Sequence, residues 1–114
     1  MIDYPAAFPD RVLVGNRTFE IRPMTPLECN AVGDGVCDLV NDVIAINTSQ
    51  SDANIRETLW HEIAHAVHHV AKLTDGCSEE DFANRAAPIW IDVVTRNVDF
   101  RVFVSTDCNK NRDN

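Results

Sequence analysis

The chain has 114 residues, 45% hydrophobic and 25% charged, which suits one soluble domain with a modest core. Eighteen acidic against ten basic residues give a net charge of −8, which argues against a nucleic-acid partner and suits a cationic ligand. No apolar run approaches the roughly 20 residues of a membrane span. The start, MIDYPAAFPDR, lacks the basic and apolar segments of a leader, so the expected compartment is the cytoplasm.

The first half reads as strands. RVLV and RTFEIR flank Gly15-Asn16, a pair suited to a two-residue hairpin turn. Phe19 and Ile21 alternate with Thr18, Glu20 and Arg22, the pattern of a half-buried strand. RPMTPLECNAVGDG, with Pro23, Pro26, Gly33 and Gly35, reads as a connection. VCDLV and VIAIN around Asn41-Asp42 repeat the hairpin pattern, and VIAIN is expected either as an ordinary core strand or at the sheet edge beside a cleft. Together these predict a small, mostly antiparallel sheet.

The second half reads as helices. Ser51 or Asp52 caps a helix running to about Leu73, with Gly76 beyond its end. Ser78 caps the next, which starts at Glu79 with acids in its first turn. Pro88 must kink that helix or start a new segment. Trp60 and Trp90 are expected to pack in the core or a cleft wall. None of Cys29, Cys37, Cys77 and Cys108 forms a C-x-x-C pair, so all four are expected as free thiols. The domain is expected to span 1–104, with a polar tail over 105–114.

All four histidines fall in LWHEIAHAVHHV, residues 59–70. At about 100° per residue, Ile55, Leu59, Ile63, Val67, Val70 and Leu73 make an apolar stripe roughly 120° wide. His61 and His65 lie on the other side, about 40° and about 6 Å apart, so both rings reach one ion. Glu62 projects from the same turn. This is H-E-x-x-H on a helix. Two neutral imidazoles leave zinc a Lewis acid, zinc brings a bound water to a pKa near 7, and Glu62 can take that water's proton. A third protein ligand is needed. His69 lies about 12 Å from His61 along an unbroken helix, and His68 only slightly less, so neither closes the site. Both are expected on the surface or lining the cleft, where a histidine can serve as a transition-state donor.

The following helix offers carboxylates. Glu80 and Asn84 are one turn apart, which suits a ligand and a side chain that orients a ligand histidine. Glu79 is the rival ligand, and an exposed acid favoured by the helix dipole is the plain alternative for either. Tyr4 and Arg85 are candidates for oxyanion stabilisation.

HEIAH followed by EDFANRAA resembles the ImmA/IrrE-type metallopeptidases and related phage-encoded minimal gluzincins, which carry H-E-x-x-H on one helix and E-x-x-A-N-x-x-A on the next. The resemblance covers about Ile44 to Val94. It implies an α+β, minimal zincin-like fold with an active-site helix and a glutamate helix. It also implies zinc on His61, His65 and Glu80, Glu62 as base, Asn84 in support, and a peptide or protein substrate. In this chain AAPIW puts a proline where relatives have an apolar run. A catalytically weak zinc-binding module acting on a regulatory partner is the alternative function. The sequence assigns no oligomeric state.

Overall fold

The computed structural model describes residues 8–73 and 76–105. Tyr4, Cys108 and the expected tail from residue 106 lie outside them. The elements follow in the order β1 (Arg11–Val14), β2 (Arg17–Pro23), α1 (Pro26–Val32), β3 (Gly35–Asp38), β4 (Val43–Ile46), α2 (Asp52–Val70), α3 (Glu79–Arg96) and α4 (Val98–Ser105). The class is α+β.

The first hairpin forms as its sequence dictates. Val14 pairs with Arg17, leaving Gly15-Asn16 as the turn, and Gly15 takes the φ of 62° that the first central position of a type II′ turn requires. The second hairpin is shorter than its apolar pattern. The Asp38 carboxylate accepts hydrogen bonds from the Val40 and Asn41 N–H groups, which ends β3 two residues early. Leu39–Asp42 become the turn, with Val40 89% exposed and Asp42 at φ 58°.

The strand order is β1-β2-β4-β3. The two hairpins are antiparallel, but β2 and β4 pair in parallel, Ile21 opposite Ile44, so the sheet is mixed rather than antiparallel throughout. VIAI is an inner strand, with Ile44, Ala45 and Ile46 fully buried, as a continuous apolar run requires. Of the two readings of VIAIN, the core strand holds, and the edge beside the cleft is β3.

The segment expected as a connection contains α1. Thr25 and Glu28 make a reciprocal capping box, Pro26 occupies the first turn, and Arg22 holds Glu28 through two bonds of 2.8 and 2.7 Å. In α2 Ser51 is the cap, and the helix ends at Val70, before Leu73. Lys72 adopts φ 57°, its N–H bonds to His69 O and that of Leu73 to His68 O, closing a Schellman motif without glycine. Helix α3 is capped by Ser78 and runs unbroken through Pro88 to Arg96. Between α2 and α3, Trp60 packs on Trp90 with ring centroids 5.0 Å apart, and on Phe100 of α4 at the same distance. The core gathers Val12, Phe19, Ile44, Leu59, Val93 and Phe103 from both layers.

Candidate active site

Helix α2 presents its histidines and its carboxylate differently. His61 and His65 are exposed, with their Nε2 atoms 3.2 Å apart and ring centroids 4.8 Å apart. Glu62 lies about 20° outside the apolar stripe, between it and the histidine row. It is buried, at 6% exposure, in line with Ile55, Leu59 and Ala66. Burial raises its carboxyl above the usual range, and the neighbouring His61 and His65 partly offset this.

The burial depends on β3. A Cβ on Gly35 would stand 2.6 Å from Thr58 Cγ2 and 3.0 Å from Glu62 Oε2. Only a glycine lets the strand come this close to the helix. Gly35 is thus part of the site, although its sequence context marks it merely as a chain breaker.

Two lobes of one cleft meet at Gly35, His61 and Glu62. The larger, about 710 Å³, is lined by Val36, Cys37 and Leu39 on the sheet side and by His65, His68, His69, Lys72 and Leu73 on the other. His68 and His69 therefore line the cleft; His68 also approaches the Phe82 ring at 6.4 Å. Burial pushes the Cys37 thiol up to about 11, with Glu62 adding to the effect, so it stays neutral. Cys29, Cys37 and Cys77 are all free.

The other expected residues are not gathered here. Glu79, Glu80 and Asn84 are exposed along the first half of α3 and line neither lobe. Arg85 donates to Lys72 O at 3.2 Å, which ties α3 to the end of α2 but does not place it in the cleft. Among the described residues no group of three or more His, Cys, Asp or Glu side chains converges as a metal cage.

The histidine pair does fit two positions of one. Nitrogens on a tetrahedral zinc at about 2.0–2.1 Å stand roughly 3.3 Å apart, close to the observed 3.2 Å, a separation that a hydrogen bond between the rings also gives. Two imidazoles meeting edge-on beside a buried carboxylate, in an open cleft bordered by the edge strand β3, are the candidate site. The sequence profile of the family Peptidase_M78, described as the IrrE N-terminal-like domain, matches residues 27–91. That is more than half of the chain, which belongs to this peptidase family. The match runs from α1 into α3, taking in β3 and the whole of α2, and leaves out the first hairpin and α4. No curated protein and no solved structure matches.

Proposed function

We propose that the protein is a zinc-dependent metallopeptidase. The observation that carries this is the meeting of the His61 and His65 Nε2 atoms on the open face of α2, one residue from a buried carboxylate. His61 and His65 are two ligands of the ion, and Glu80 is proposed as the third, with Asn84 in support. The E-x-x-A-N sequence supports that assignment, as does the packing of α3 on α2. Glu79 is its rival. The bound ion supplies Lewis-acid polarisation and an acidified water.

Glu62 takes the proton of the attacking water and passes it to the leaving amine. Its raised pKa suits both halves of that task, since a base poised nearer neutrality also serves as an acid. His68 and His69 line the cleft and can donate to the developing oxyanion. The free edge of β3 offers backbone groups to an extended peptide, which would lie along it as an added strand.

Glu62→Gln tests the assignment. It should keep the bound metal and lose peptide cleavage by at least about a hundredfold, the low end of a general base's contribution. Full cleavage by this variant contradicts the role given to Glu62. Alanine at Glu79 and Glu80 separately identifies the third ligand, since only one should lose metal. A catalytically weak zinc-binding interaction module is the second reading, favoured by the meeting of only two ligands among the described residues. Full biological activity of Glu62→Gln would select it.

A further inference from the structure

The two lobes of the cleft differ in charge, and the difference runs along α2. Before the histidine pair, the wall carries Asn54, Glu57 and Thr58 from the helix, with Asp34 facing them from the sheet side. Among the described residues, Glu57, Asp34 and Glu62 are the charged groups lining this lobe. Beyond the pair, the wall carries His68, His69 and Lys72, with Leu39 and Leu73 as apolar floor. Among the described residues, Lys72 and Glu62 are the charged groups lining that side. Glu62 faces both lobes, nine-tenths buried.

The helix dipole acts on the first and last turns, and Glu57 lies in the second turn of α2 while Lys72 follows its end, so it accounts for neither. Nor does it account for Asp34, which precedes β3 and whose carboxylate accepts from the Asn47 amide at 3.2 Å. The acidic lobe is built from two separate elements and opens directly onto the proposed site of cleavage.

Resting on the peptidase reading above, we propose that the cleft selects a charge-ordered extended peptide. A Lys or Arg side chain occupies the Asp34–Glu57 lobe. An apolar or acidic side chain occupies the Leu39–Leu73–Lys72 lobe, on the other side of the bond held at His61, Glu62 and His65. Exposed ion pairs of this kind contribute a few-fold each, enough to rank substrates but not to exclude them.

Digestion of short random-sequence peptides by the zinc-loaded protein, with the cut bonds located by mass spectrometry, tests this. Lys and Arg should be enriched about threefold on one side of the cut and Asp and Glu depleted there. Glu57→Lys should remove that preference, and Lys72→Glu should weaken the acceptance of acids on the opposite side. A cut-site profile without charge asymmetry, or one that neither substitution alters, overturns the proposal.

Binding keeps the test independent of turnover. Glu62→Gln is titrated, by fluorescence anisotropy, with two labelled peptides of one composition whose Lys and Glu ends are exchanged. One order should bind several-fold tighter, and Glu57→Lys combined with Lys72→Glu should invert the preference. Equal binding of the two orders contradicts the charge ordering. Ordered binding without any cutting by the wild type contradicts the peptidase reading instead.

Discussion

Glu62 occupies a place on α2 where the helical repeat sets Ile55, Leu59 and Ala66 against the sheet, and it is buried with them. A carboxylate is tolerated there because β3 approaches through Gly35, leaving room for its oxygens and access to the cleft. Gly35→Ala should therefore fail on two counts. Its methyl must displace Thr58 and Glu62, an overpacking that typically costs about 1–3 kcal/mol. Urea denaturation should show that loss, and peptide cleavage should fall further than stability does, because the displaced group is the proposed base. Wild-type stability and activity in this variant would show that the close approach is unimportant. The sequence displayed His61, Glu62 and His65 because their relation is local, fixed by one helix. It could not display Gly35, Cys37 or Asp34 beside them, since those contacts depend on how the sheet docks on α2. His68 and His69 fall between: the helix repeat puts them near the histidine row, but only the floor from Leu39 and Leu73 makes that face a cleft.

At the scale of elements, Glu28 takes part in both the cap and the ion pair that hold the start of α1. Glu28 caps the helix and accepts from Arg22, and the Arg22 hydrogen bond is the first cause of its pKa falling to about 2 from the ordinary 4.5. A folded-state value below the unfolded one stabilises above the unfolded pKa and is lost as pH falls through the folded one. The latch on α1 should thus be intact above about pH 4.5 and released on approach to pH 2. Amide-exchange protection across Leu27–Val32, taken relative to the intrinsic rate at each pH, should fall over that window, and Glu28→Gln should remove this loss. The end of α2 makes a second case. Lys72 holds φ 57° where glycine is free of strain, so Lys72→Gly should stabilise by up to about 1 kcal/mol, read as a higher urea midpoint. Both features were readable in part. Thr25-Pro26-Leu27-Glu28 spells a capping box, yet its prolines and flanking glycines mark a connection just as well. Gly76 marks the stop of α2 by residue type, but hydrogen bonds from Lys72 and Leu73 close the helix first. Pro88 shows the converse: tertiary packing carries α3 through a residue that locally opposes it.

Across the whole molecule, a buried polar side chain joins the helical layer to the far edge of the sheet. Asn97, buried between α3 and α4, accepts from Leu13 N–H and donates to Leu13 O and Val93 O, each at 2.8 Å. It thus pairs the backbone of β1, an edge strand. Asn97→Ala leaves those groups unpaired and should cost about 1–3 kcal/mol, which at roughly 4–8 °C per kcal/mol for a chain of this size is a readable fall in melting temperature. An unchanged melting temperature would remove Asn97 from the framework. This link spans 84 positions, and neither residue type nor periodicity announces it. The parallel pairing of β2 with β4 is hidden for the same reason, since each hairpin is local and their docking is not. What these long-range contacts hold in place is a helix face with two imidazoles meeting beside a buried carboxylate. The most direct test of that site is the metal content of the purified protein and of His61→Ala and His65→Ala, measured by elemental analysis after dialysis. About one zinc per wild-type chain, lost in both variants while their folded circular dichroism persists, is the predicted result. A wild-type chain that takes up no metal when zinc is supplied would contradict it.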